Sequence, residues 1–177
     1  TYGHSDYSVY IYGNDNTITD SVIKGEGGVI IYGSRNLIYH SNVTGNNSDG
    51  VYVYGNRTAI RDSYVYGYGY GIYIYGSDNL IYGSDVTGNN SDGIYIYGSD
   101  NNIYGSTIVG HGGNGISIYG SDNNIRSTNA TGGWAGIYIN GSYNNIYRST
   151  IAGGNGIYIY GSYNNVTGSN VTGRGHY

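Results

Sequence analysis

The chain has 177 residues, a net charge of −4 and only 10% charged residues. With no basic or acidic run, it lacks the surface that nucleic acid or an anionic membrane would need, and also the high net charge of a disordered chain. Cys and Pro are both absent, which excludes disulfide staples, thiolate metal sites and a cysteine nucleophile, and fits a backbone whose N–H groups are nearly all needed in ladders.

Residues 1–8 (TYGHSDYS) read as a short polar lead-in. From there the sequence repeats itself, with copies starting at Val9, Val29, Val51, Ile72, Ile94, Ile116, Ile137 and Ile157 and the last one reaching Tyr177. Consecutive starts lie 20, 22, 21, 22, 22, 21 and 20 residues apart. A fixed period in this range signals a solenoid. Length alone would permit a second domain, but the repeat over 9–177 leaves no boundary.

The first copy shows the elements in order. The alternation Val9-Tyr10-Ile11-Tyr12 predicts a strand with its aliphatics facing in and its tyrosines facing out. Gly13 follows at the fifth position, which is Gly in every copy; such a glycine marks a bend needing positive φ or a close backbone approach. Asn16 holds the eighth position and recurs in every copy except at Thr58. Ile18 centres a second strand, Ser21 follows it (Thr128 once), and Ile23 leads to a second invariant glycine at Gly25. The first, third, tenth and fifteenth positions are Val or Ile throughout, Ala130 excepted. β-branched side chains suit a pleated, buried surface, and no helical stripe competes. The expected fold is therefore all-β, a single-stranded parallel β-helix of eight coils, with Asn and Ser stacked into structural ladders.

The loops at 26–28, 46–50, 68–71, 89–93, 111–115, 133–136 and 154–156 absorb all length differences between copies. One corner is therefore the variable edge, where function is usually carried.

Tyrosine fills the outward positions. The second is Tyr in six copies (Tyr10, Tyr52, Tyr73, Tyr95, Tyr138, Tyr158) and the fourth in seven (Tyr12, Tyr32, Tyr54, Tyr75, Tyr97, Tyr119, Tyr160). The eleventh is Tyr in four copies (Tyr39, Tyr82, Tyr104, Tyr147). With coils ~4.8 Å apart, equivalent rings are expected to stack in columns. The first two sets would form one aromatic strip, larger than a soluble monomer usually exposes. Within it, Tyr12, Tyr32, Tyr54, Tyr73, Tyr75, Tyr95, Tyr97, Tyr119, Tyr138, Tyr158 and Tyr160 are assigned to an assembly or ligand surface. The chain has no Phe, so every aromatic but Trp134 keeps a hydroxyl, as suits a polar or wet contact.

No catalytic, cofactor-binding or metal-ligating residue is assigned, and the chain is expected not to be an enzyme. Asp78, Asp100 and Asp122 share one position in consecutive copies, with Asp15 earlier; such a column can be imagined on Ca²⁺, but its members repel one another. Asp49 and Asp92 recur in the turn sequence NNSDG, and His4, His40, His111 and His176 are scattered. The lack of Met fits a processed mature chain, with no signal peptide or membrane span visible. Glycosylation triplets begin at Asn42, Asn46, Asn56, Asn89, Asn129, Asn140, Asn165 and Asn170. Of these, Asn42, Asn129 and Asn170 share one outward position, and the expected location is extracellular or the cell surface.

The repeat GIYIYGSDNNIYGSTIVGHGGN resembles the parallel β-helix repeat of pectate-lyase-like and NosD-like proteins, in the Asn- and Tyr-rich style of archaeal surface and sheath proteins. The likeness rests on the I-Y-I-Y-G-S-x-N-N-x-I core and spans Val9–Tyr177. It implies a right-handed helix with three sheets and an inward asparagine ladder. Polysaccharide-cleaving members use clustered Asp with a basic residue, a set not found in this sequence. The expected function is a self-assembling subunit of an extracellular filament, sheath or surface layer. Its partners are expected to be other copies, joined head to tail and sideways, and possible glycans. The alternatives are a carbohydrate-binding solenoid using the Tyr columns and Trp134, and a polysaccharide lyase or hydrolase.

Overall fold

The computed structural model describes residues 6–175. Residues 1–5 of the lead-in, with His4, and the closing His176 and Tyr177 lie outside the described residues. Three parallel sheets of eight strands each wrap a single core. The first sheet runs from strand Tyr7–Ile11 to Asn155–Tyr160, the second from Thr17–Thr19 to Asn165–Thr167, and the third from Val22–Gly25 to Asn170–Gly173. Every strand pairs with its counterpart one coil away, in the register of the sequence repeat: Ile72 with Ile94 and Ile74 with Ile96 in the first sheet, Ile81 with Ile103 in the second, Val86 with Ile108 in the third. The first strand already pairs at Tyr7, opposite Gly27.

The four aliphatic positions form four interior columns. Ile96 and Ile118 are 1% and 0% exposed, and Ile103 and Ile108 1% and 0%. The final coil lacks a neighbour on one side in the described chain, and its Ile159, Val166 and Val171 are 39%, 39% and 43% exposed.

Two side-chain ladders run beside the core. Asn101 donates its backbone N–H and its side-chain amide to Asn123 Oδ1, at 2.9 and 3.1 Å, and gives its amide to Gly76 O as well. The same pair of bonds repeats from Asn79 to Asn101, Asn123 to Asn144 and Asn144 to Asn164. In the second ladder, Ser63 N–H donates to Ser84 Oγ at 3.2 Å, and Ser84 Oγ donates to Tyr82 O. Thr58 interrupts the asparagine ladder, and its buried Oγ1 has no hydrogen-bond partner.

The corners use positive φ at more places than the recurrent glycine: four fifth-position glycines, Gly76, Gly98, Gly120 and Gly161, have φ of 125–158°. Left-handed backbone falls at the seventh position (Asp15, Arg35, Arg57, Asp78, Asp100, Asp122, Tyr143 and Tyr163, φ 55–59°) and at the twelfth (among them Asp20, His40 and Asp62, φ 47–49°). Short polar side chains tolerate that region best, and the rest are held there by the coils on either side. The fifth-position glycine is needed for close approach: a Cβ on Gly98 would collide with the carbonyl oxygen of Gly76 one coil back, and one on Gly55 with that of Gly33.

Candidate functional site: the tyrosine face

Strand alternation puts the second- and fourth-position tyrosines on the outer side of the first sheet, and the parallel register brings equivalent rings together. In the inner column Tyr52 stacks on Tyr73 at 4.8 Å and Tyr73 on Tyr95 at 4.9 Å. The next coil has Ser117 in this column, where it accepts a hydrogen bond from the Asn114 amide at 2.9 Å. Tyr119, from the outer column, fills the break. Its ring lies 5.1 Å from Tyr95 and 5.6 Å from Tyr138, after which Tyr138 stacks on Tyr158 at 5.7 Å. The outer column stacks Tyr12 on Tyr32, Tyr54 on Tyr75 and Tyr75 on Tyr97 at 5.2, 5.0 and 5.1 Å. The second sheet has no such column. Arg61 and Arg126 interleave there, with the guanidiniums of Arg61 and Arg148 lying 5.5 and 4.7 Å from the Tyr82 and Tyr147 rings.

Stacking along the rod has a chemical consequence. Where rings stack, each face is covered by the next ring, so the stacked stretches Tyr52–Tyr73–Tyr95 and Tyr54–Tyr75–Tyr97 present mainly ring edges rather than flat aromatic platforms. Tyr52, Tyr73, Tyr95 and Tyr138 of the inner column are half-buried, while Tyr158 and, in the outer column, Tyr12, Tyr54 and Tyr160 are exposed.

The variable corner adds aromatic groups that the repeat pattern did not single out. Tyr70 meets the inner column 5.3 Å from Tyr73 and 5.4 Å from Tyr95. Trp134 lies 5.8 Å from Tyr138 and 5.4 Å from Tyr158, tilted to both and 42% exposed. The available signal was their position: both precede a first-sheet strand by a few residues, at the edge of the strip.

Asp49 and Asp92 also exceed the role of turn formers. Asp49 Oδ1 accepts from the Tyr70 N–H at 2.9 Å, and its Oδ2 from the Tyr7 hydroxyl at 3.4 Å. Asp92 Oδ1 accepts from the Asn114 N–H at 2.6 Å, and Asn114 Oδ1 in turn accepts from the Ala135 N–H. Burial holds both carboxyls above the usual carboxylate range, with these bonds opposing it. Burial, followed by neighbouring tyrosines, pushes the Tyr95 phenol up to about 12. Tyr7 is pushed up further, by burial and then by the charge of Asp49. These rings stay neutral phenols near neutral pH.

The other sequence candidates lie apart from this face. Asp78, Asp100 and Asp122 are exposed at left-handed corners, with Arg57 Nε 3.8 Å from Asp78. Among the described residues, no group of three or more His, Cys, Asp or Glu is placed to hold a metal ion. Asp15 makes two 2.7 Å bonds to Arg35, and Asp20 pairs with His40. Asn42, Asn46, Asn56, Asn129, Asn140, Asn165 and Asn170 are exposed, and Asn89 is half-buried. No helix of the described residues is long and apolar enough to cross a membrane.

A family model described as the right-handed beta helix region matches residues 7–132 and 49–177. Among solved structures, the fold is similar to that of a pectate lyase, with a TM-score of 0.64 and 14% identity over 94% of this chain and 55% of that one. The A-module of a mannuronan C-5 epimerase from Azotobacter vinelandii aligns with a TM-score of 0.44 and 14% identity, over 93% of this chain and 56% of that one. The chain thus spans about half the length of the structures it matches. No curated protein matches it in sequence. The expectation that the chain is not an enzyme is overturned by the first of these likenesses, because nearly the whole chain shares its architecture with a pectate lyase. Function on a shared fold is carried by sites grafted onto it, so the lack of a recognisable acid cluster in the sequence is not a sufficient ground for that expectation.

Proposed function

The chain belongs to the right-handed β-helix family, and on that premise we propose that it is a self-assembling structural rod of an extracellular filament, sheath or surface layer. The observation that carries this reading is the tyrosine face. A sugar ring stacks on an exposed aromatic face, but coaxial stacking at 4.8–5.1 Å covers those faces along most of the strip. What remains is a long row of ring edges at the coil spacing, which a second copy's row can meet edge to edge through ring packing and hydroxyl hydrogen bonds.

An axial contact follows from the same repetition. In the 177-residue chain by itself, Ile159, Val166 and Val171 of the last coil are exposed, and they continue the columns that begin with Val9, Ile11, Ile18 and Ile23. The asparagine ladder is polar in one sense, with the N–H donating to the next coil's Oδ1 where that coil carries Asn, as from Asn16 to Asn36 and from Asn144 to Asn164. A second copy stacked head to tail would set the Asn164 N–H against the next Asn16 Oδ1. Such a heterologous contact builds an open fibre. The exposed glycosylation triplets suit an extracellular location.

Sedimentation of the 177-residue chain tests both contacts. The wild type should form ordered, concentration-dependent assemblies. Tyr75→Glu with Tyr97→Glu should abolish sideways growth, and Ile157→Glu with Ile159→Glu should abolish axial growth. A stable monomer at high concentration would overturn the proposal.

A second reading, binding or processing of an acidic polysaccharide, is favoured by the shared pectate-lyase fold and by Trp134, which tilts away from the stack and is exposed. Trp134 is the sole tryptophan, so its fluorescence reports directly on added pectate. A saturable change, lost in Trp134→Ala, would support this reading, and an unchanged spectrum would dismiss it.

A further inference from the structure

We infer that the tyrosine face is a one-electron relay, carrying an oxidising equivalent from Trp134 along the rod to the Tyr52 end. The path is continuous in ring contacts. Trp134 touches Tyr158 and Tyr138, Tyr138 is followed by Tyr119 at 5.6 Å, Tyr119 by Tyr95 at 5.1 Å, and the stack continues through Tyr73 to Tyr52 at 4.9 and 4.8 Å. The one coil where the inner column loses its ring, at Ser117, is the coil where Tyr119 crosses over from the outer column to close the gap.

Composition points the same way. The chain has 26 Tyr and one Trp but no Phe. Packing alone would accept phenylalanine at the half-buried inner positions, whereas one-electron oxidation needs a phenol or an indole. Cys and Met are also absent, so no sulfur side chain within the protein competes for the oxidising equivalent. Asp49 and Asp92 lie close enough to act electrostatically on Tyr52 and Tyr95. A nearby negative charge eases removal of an electron from a ring.

The chemistry balances with one external one-electron oxidant and one external one-electron donor. A one-electron oxidant, such as a small inorganic radical, takes one electron from the Trp134 indole, and the N–H proton passes to water. An electron from Tyr138 or Tyr158 then refills the indole, which regains a proton from water while the phenol loses its own. Each later step moves one electron from a phenol to the neighbouring phenoxyl, with one proton released and one taken up. Only O–H and N–H bonds of the protein break and form, and a one-electron donor of the aromatic amine class, such as a phenothiazine, ends the sequence by giving one electron to the Tyr52 phenoxyl, which takes up one proton from water.

The lack of cysteine permits a clean test. Asn47→Cys, in the exposed corner loop before Val51–Tyr54, would carry a covalently attached phenothiazine as the terminal donor. Azide radicals would oxidise Trp134 in dilute solution, and transient absorption would follow the tryptophanyl and phenothiazine radicals. The expected result is first-order growth of the phenothiazine radical at a rate independent of protein concentration. In Tyr119→Phe, which keeps the ring but removes the oxidisable phenol, that phase should be lost while the initial step from Trp134 to tyrosine persists. Circular dichroism of the variant would verify an intact coil stack. Equal first-order growth in Tyr119→Phe, or only concentration-dependent growth in the parent, would overturn the relay.

Discussion

Ile96 shows how little freedom a single interior position has. Its side chain is 1% exposed and sits in an unbroken column between Ile74 and Ile118. Ile96→Ala should cost about 2–5 kcal/mol, since coils above and below cannot collapse into the cavity without breaking register; urea denaturation would measure it. Asp92 poses a different problem, a carboxyl kept by its hydrogen bond from Asn114 despite burial. Its pKa is higher folded than unfolded, so the folded state binds the proton more tightly. That contribution to stability is present below the ordinary carboxylate value and is lost as pH rises through the raised one. Asp92→Asn keeps an oxygen to accept from Asn114 but carries no charge. The variant should equal or exceed the parent in stability at neutral pH, and the difference should shrink on acidification. A parent more stable than Asp92→Asn at neutral pH would refute this account.

Among the elements, the asparagine ladder is the one whose rungs can be tested separately. Asn101 accepts from Asn79 and donates to Asn123 and Gly76. Asn101→Ala would leave the buried Asn79 N–H without its acceptor, at a cost of about 1–3 kcal/mol. Thr58 offers the opposite experiment, because its Oγ1 is buried without a partner. In neighbouring rungs the amide also reaches a glycine carbonyl two dozen residues back, as from Asn79 to Gly55. Thr58→Asn should restore both kinds of bond and stabilise the fold by about 1 kcal/mol, read as a higher urea midpoint. The corner glycines are less forgiving. Gly98→Ala meets the backbone oxygen of Gly76, and no side chain can move aside to relieve it. This substitution should be among the most damaging in the chain, visible as loss of the strand signal in circular dichroism.

At the scale of the molecule, the repeat makes a rod. In the proposed assembly the lateral contact would lie with Tyr75, Tyr97 and their column, and the axial contact with the first and last coils of the 177-residue chain. The two sets of charge substitutions should therefore give different products, thin single rods in one case and short laterally joined pieces in the other, separable by electron microscopy. Exposure of most glycosylation triplets leads to a second expectation: peptides containing Asn42, Asn129 and Asn170, released from the native protein by proteolysis, should carry whole sugar units in mass spectrometry. Recovery of these peptides only in bare form would remove this support for an extracellular location.

The sequence by itself determined the architecture, because in a solenoid the repeat period and the pairing register are the same quantity. The four aliphatic columns, the Asn and Ser ladders and the outward tyrosines could all be counted from Val9 onward, since each coil meets only its neighbours. Three features needed the tertiary structure. The tightest left-handed corners, at the seventh and twelfth positions, fall mostly on Asp, Arg, His, Ser and Tyr, in addition to the positive φ of fifth-position glycines such as Gly98, because a glycine's recurrence does not say where else the backbone must turn left-handed. Asp49 and Asp92 turn inward to the next coil's corner, and a turn motif does not specify which way its carboxylate points. The tyrosine face is continuous only because Tyr119 leaves its own column to cover Ser117. That crossing depends on a side-chain rotamer answering a gap, and a count of residues along a strand carries no information about it.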